Sequence, residues 1–202
     1  MIATLSLMCF LITSNLSSAK AIQFSGISLT AGFFTYPFVY MCSSIIMATR
    51  SPSIYFESIS MAYLGYLAFI SLMYVSSSLP ATYPGSVYTK SFDLIYDISN
   101  YRIYLASLCG YFLSMFLFSM IFNNINIKNI ALKITLATFV VAVVDVNVFL
   151  ILAFWGIKEP NLLYELLFWA SIKKILAQAL LIIPSVWIIN YIRSQNEYCF
   201  SN

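Results

Sequence analysis

The chain has 202 residues; 61% are apolar, only 8% are charged, the formal net charge is +3 and there is no histidine. Soluble domains carry about a quarter charged residues. This composition, with a mean hydropathy of +0.89, excludes a soluble enzyme, a disordered chain and a collagen-like fibre, and leaves an integral membrane protein. The charge is too small and too scattered for a nucleic-acid surface. Lack of histidine removes the commonest metal ligand and the usual acid–base group near neutral pH, so no metal site or cofactor is expected. Cys9, Cys42 and Cys109 sit in apolar runs and Cys199 stands apart, with no CxxC pair among them; they read as small hydrophobes rather than metal ligands or disulfides.

A helix needs about 20 apolar residues to cross about 30 Å of hydrocarbon, and the charges cut this chain into segments of that size. Met1–Ser17 comes first. Ala19-Lys20-Ala21 resembles a cleavage site, but no positive residue precedes the apolar run as a secretory signal requires, so the segment reads as a membrane helix. The second span is Ser28–Thr49, ended by Arg50-Ser51-Pro52, and the third is Ile54–Ser77. The connection Ser78–Asn100 is rich in aromatics (Tyr83, Tyr88, Phe92, Tyr96), which suits the headgroup level; it is either an interfacial segment or a gating loop. Tyr101–Phe122, Leu132–Ile157 and Leu166–Tyr191 complete the set.

Six spans put both termini on one side, with Arg50, Lys128, Lys133 and Arg193. Asp93, Asp97, Glu159 and Glu165 fall on the other, as do Lys20, Lys90, Lys158 and Arg102. Orientation follows the Lys/Arg count, which is nearly balanced here; the reading adopted is cytoplasmic termini. The expected fold is an all-α, polytopic bundle of six transmembrane helices forming one domain over residues 1–202, surrounded by lipid.

An ionised side chain at membrane depth costs at least about 2.5–3.5 kcal/mol on insertion scales, so it faces the protein interior and finds a partner. Asp145 lies near the middle of the fifth span, where no other charge occurs between Lys133 and Lys158. Thr138 and Phe149 share its face. In the sixth span Ser171, Lys174 and Gln178 form one polar stripe, while Lys173 points elsewhere and can snorkel. In a hairpin of these two helices Asp145 lies about 18 Å and Lys174 about 12 Å from the shared loop, an offset a lysine stem can span. Two roles are open and compatible: an ion pair that locks the helices, and a binding site that opens when solute enters. Ser107, Gly110, Tyr111 and Ser114 line one face of the fourth span, as close helix packing in lipid requires. Pro37 and Pro184 mark interruptions in the second and sixth spans.

Several of these residues together resemble the queuosine-precursor transporters, six-helix bacterial membrane proteins related to vitamin-uptake transporters. The resemblance rests on Ser14-Asn15 and Ala19-Lys20-Ala21-Ile22, on Ala31-Gly32 with Tyr36-Pro37-Phe38, and on Arg102, Ala106-Ser107 and Gly110-Tyr111. It continues through Asp145, Phe149 and Ala153-Phe154-Trp155 to Lys174 and Pro184. One stretch departs. Where the family usually has Asp-Ile-Ile-x-Glu-x-x-Gly, this chain has Ser44, Ala48 and Ser51 in place of the two acids and the glycine.

The resemblance implies import of a 7-deazaguanine base for tRNA modification, across a bacterial inner membrane. It implies solute contacts from Asn15, Lys20, Tyr36, Arg102, Ser107, Asp145, Trp155 and Lys174, to which the polar stripe adds Gln178. A carboxylate such as Asp145 can accept two adjacent N–H bonds from a guanine-like edge. Phe34, Tyr36, Phe149 and Trp155 are candidates to stack on the ring. Midplane binding at helix breaks is the general transporter plan. The missing acids keep open an importer of another planar or vitamin-like solute, and a non-transporting membrane scaffold is the reading from a third class. A membrane enzyme lacks the nucleophile–base pair or metal cluster it would need.

Overall fold

The computed structural model describes residues 2–18, 20–24, 27–96 and 101–200; Ala19, Asp97 and Asn100 lie outside them. Seven helices and one short hairpin follow in order: α1 (Ile2–Ser17), β1 (Ala21–Phe24), β2 (Ile27–Thr30), α2 (Gly32–Thr49), α3 (Pro52–Ser78), α4 (Val87–Tyr96), α5 (Tyr101–Asn124), α6 (Ile130–Phe154) and α7 (Pro160–Phe200). In hydrocarbon every backbone N–H and C=O must be satisfied within the protein, which leaves helices as the spanning form for such apolar runs. Five of these helices (α2, α3, α5, α6 and α7) are long and apolar enough to cross a membrane, and α1 is apolar but shorter, at 16 residues.

Local sequence sets the helix ends. Asn129 Oδ1 accepts from Ala131 N at 2.9 Å and Leu132 N at 3.3 Å, capping the start of α6. At its other end, Trp155 turns out of the helix and Gly156 takes the left-handed conformation at φ 79° that side chains disfavour. Pro160 then opens α7, where a missing N–H does no harm. The fifth span thus ends three residues earlier than the charge pattern suggests, at Phe154 rather than Ile157.

The sequential pairs α5–α6 and α6–α7 pack most closely along the chain's second half, and α1–α2, α2–α7 and α1–α3 close the bundle. Leu7, Leu11, Val39, Tyr55, Phe118 and Ile189 are among the buried side chains at its centre. Most other large apolar residues face outward, including Leu64, Leu72, Leu180, Ile183 and Trp187, as lipid permits and water would not.

Two connections correct the sequence expectation. Ser28 begins no helix; it belongs to an antiparallel two-stranded ribbon in which Ala21 pairs with Thr30 and Phe24 with Ile27. The residues from Ala21 to Thr30 are rich in β-branched types and hold a Ser25-Gly26 dipeptide, a hairpin signal that the apolar count overrode. Within the Ser78–Asn100 connection, Val87–Tyr96 is helical and has no buried residue. Ser86 starts it by accepting from Thr89 N at 3.1 Å, and Ser77 Oγ donates to Asp93 Oδ1 at 3.1 Å, tying it to the end of α3. Helices α2 and α7 run through Pro37 and Pro184 without ending.

Candidate functional site

An ion pair lies at the bundle centre. Asp145 on α6 is 3% exposed, and its Oδ2 pairs with the Lys174 ammonium on α7. The same oxygen accepts a bond from the Tyr40 hydroxyl on α2 at 3.2 Å. Two donors on one buried carboxylate oxygen hold the charge that desolvation would otherwise penalise. The pair is not sealed symmetrically: the Lys174 side chain keeps 17% exposure against 4% for Asp145.

Aromatic rings complete the setting. The Lys174 ammonium lies 3.8 Å from the centroid of the Tyr36 ring and 5.7 Å from that of Tyr40, within cation–π range. These rings sit 5.7 Å apart, one turn from each other on α2. On the far side α5 presents Gly110. A Cβ there would stand 2.9 Å from Asp145 Oδ1 and 3.3 Å from the Asp145 carbonyl, so only glycine lets α5 approach α6 this closely.

Two further polar groups flank the centre. One turn before Gly110, Ser107 Oγ donates to Asn15 Oδ1 at 2.6 Å, while Asn15 Nδ2 donates to Leu11 O at 2.9 Å, joining α5 to α1. One turn beyond Lys174, Gln178 is 2% exposed, and neither amide atom has a hydrogen-bond partner among the described residues. It faces a crevice of ≈ 10 Å³ between α2, α6 and α7, lined also by Tyr40, Ser44, Thr138 and Ser185.

The expected residues therefore separate. Tyr36, Asp145 and Lys174 meet, with Gln178 one turn along; Asn15 and Ser107 pair with each other on the α1 side. Arg102 and Trp155 lie at the end of α6, where the Arg102 guanidinium donates to Leu152 O at 2.7 Å and Trp155 O at 2.6 Å. That is a helix C-cap by a cation, matched to the dipole. Trp155 itself is 60% exposed. Lys20 is exposed at the start of the ribbon, its carbonyl accepting from Ala31 N at 2.8 Å. Of the other stacking candidates, Phe34 is exposed beside Phe33, and Phe149 packs edge-on against Phe154. Sequence reading passed over Tyr40; its spacing of four from Tyr36 put it on the same face. Among the described residues no group of His, Cys, Asp and Glu could hold a metal ion.

Comparison with known proteins agrees with this architecture. A family model described as "Putative vitamin uptake transporter" matches residues 30–189. No curated protein and no solved structure matches the chain. The matched region takes in α2 to α7 up to Ile189, and with it Asp145 and Lys174. The chain belongs to the vitamin-uptake-transporter family, as an all-α, multi-pass membrane transporter of small molecules.

Proposed function

We propose that the chain imports a queuosine precursor, a 7-deazaguanine base, across a bacterial inner membrane for tRNA modification. The observation that carries this reading is the buried Asp145 carboxylate, held by Lys174 and Tyr40 and flanked by the Tyr36 ring. A guanine-like edge offers two adjacent N–H donors that can replace the ammonium on the carboxylate. The flat ring then takes the place of the ammonium over Tyr36, a contact worth about 1–3 kcal/mol per base in other proteins. Lys174, released, has the purine-like acceptors of the solute to bind. Six spans, α1 included, with both termini cytoplasmic, supply the frame.

Uptake tests this directly. The chain is expressed in cells that lack both precursor synthesis and their own importer, and queuosine is measured in tRNA after feeding the free base. Restored queuosine is the expected result. No rescue by any 7-deazaguanine, with membrane expression confirmed, rejects the substrate.

A second reading has one observation in its favour. The acids of the family's second-helix pattern are replaced here by Ser44, in the crevice wall, and by Ala48, whose carbonyl accepts from Arg193 at 2.9 Å. Another planar or vitamin-like solute would then fill the same site, and a competition panel of purines, pteridines and vitamins separates the two.

A further inference from the structure

We propose that the groove between α3, α5 and α6 holds one anionic phospholipid, with an acyl chain in the groove and the phosphate on the Arg102 guanidinium. The groove has a volume of ≈ 480 Å³, within the range of small-molecule sites. Its walls include Tyr63 of α3, Cys109, Phe112 and Phe116 of α5, and Val148 and Leu152 of α6, and no charged side chain lines it. Cys109, Phe112, Phe116 and Leu152 are all exposed, so the groove opens on a face that meets lipid. Water does not fill an apolar hollow in hydrocarbon, and an empty one forfeits the dispersion contacts of its lining. An acyl chain restores them.

One end of the groove carries the charge that selects the headgroup. Arg102 precedes Cys109 by two helical turns, which places it on the same face of α5, about 10 Å nearer the helix start. Its Nε donates to the carbonyl of Leu152, itself a groove wall, at 2.7 Å, and Nη2 donates to Trp155 O at 2.6 Å. The guanidinium therefore stands at the mouth of the groove. Two of its five N–H groups are used there, and the other three have no partner among the described residues. They form the planar fork that suits a phosphate. The 24 residues of α5 rise about 36 Å, against about 30 Å of hydrocarbon, so Arg102, the second of them, lies at headgroup level. Trp155, 60% exposed beside it, suits the same level. Lys158 and Glu159 follow in the α6–α7 turn with offsetting charges, which leaves the sign of this end to Arg102. A zwitterionic headgroup brings its own cation against the guanidinium; an anionic one does not. The site draws on neither Asp145 nor Lys174 and does not depend on which solute is carried.

The test uses the full chain, stripped of lipid in detergent, with phosphatidylglycerol, phosphatidylcholine of the same acyl chains, or inorganic phosphate added at constant ionic strength. Native mass spectrometry counts the bound lipid, and each melting midpoint is compared with the same variant in detergent alone. Phosphatidylglycerol is expected to remain bound one per chain and to raise the midpoint saturably by about 3–6 °C. Phosphatidylcholine is expected to give less than half of that, and phosphate nothing. Arg102→Gln, which keeps an amide donor but loses the charge, brings phosphatidylglycerol down to the level of phosphatidylcholine. Cys109→Trp fills the groove from an exposed position and removes both increments; Leu152→Trp does the same from α6 and serves if the first does not fold. Equal increments from the two lipids mean unselective solvation by lipid and overturn the proposal. So do an equal increment from phosphate alone, which makes the guanidinium a site for a free anion, and a dimer without lipid, which puts a second copy in the groove. An increment that persists in Arg102→Gln or in the folded tryptophan variant overturns it as well.

Discussion

At the scale of single residues, the central question is what Asp145 and Lys174 are for. Burying an ion pair is a poor route to stability, because apolar residues of similar volume often do as well or better, while removing one partner strands the other charge. A pair kept in lipid for structure alone is therefore dispensable as a pair. Asp145→Leu combined with Lys174→Met is expected to leave the melting midpoint near or above that of the parent and to abolish uptake. Asp145→Asn, which keeps the shape but loses the charge, is expected to lower uptake at least about tenfold at equal expression, the size of a lost charge-assisted bond. The double variant separates the rival readings: a scaffold keeps its fold and partners, whereas a transporter stops. Unchanged transport in Asp145→Asn makes the carboxylate structural. This pair was legible from sequence because membrane depth makes any lone charge conspicuous, and the helical rise put the two within a lysine's reach. Tyr40 was not, since a tyrosine in an aromatic-rich span carries no comparable signal; only the fold shows which of 15 tyrosines points at the carboxylate.

At the scale of elements, apolar length located the helices well and their ends poorly. The second helix starts at Gly32 because the residues before it pair as a ribbon, and hydropathy cannot distinguish a β-branched strand from a helix segment of the same length. The fifth span, α6, ends at Phe154 because of the Gly156 turn and the Arg102 cap, a contact between residues 50 and 53 apart that no local pattern encodes. Arg102 was expected at the solute, and its two carbonyl bonds give it a second task. Arg102→Ala is expected to lower the melting midpoint by about 2–6 °C, the loss of about 1–2 kcal/mol from two charge-assisted bonds at the surface of a helix end. Its uptake per folded molecule should stay close to the parent's. The opposite pattern, normal melting with weakened uptake, assigns Arg102 to solute binding.

At the scale of the whole molecule, the number of spans decides how the site is reached, and α1 is the element on which it turns. Sixteen residues rise about 24 Å, short of about 30 Å of hydrocarbon, yet α1 packs against both α2 and α3, with Leu7 and Leu11 fully buried. A short helix can cross by local thinning of the bilayer when its neighbours hold it. If it crosses, the ribbon and α4 share the outer side with the α6–α7 turn, and Arg50, Lys128 and Arg193 share the inner side with both termini. Single cysteines placed in a chain whose four native cysteines are replaced by serine can test this. Lys20→Cys and Thr82→Cys, at exposed positions, are expected to react with a membrane-impermeant maleimide in intact cells. Asn126→Cys, also exposed, and a cysteine added ahead of Met1 should react only after permeabilisation. Labelling of Lys20→Cys and the added cysteine from the same side would leave five spans and lay α1 along the surface. A full reversal of the pattern would keep six spans and turn the bundle over, with both termini on the outer side.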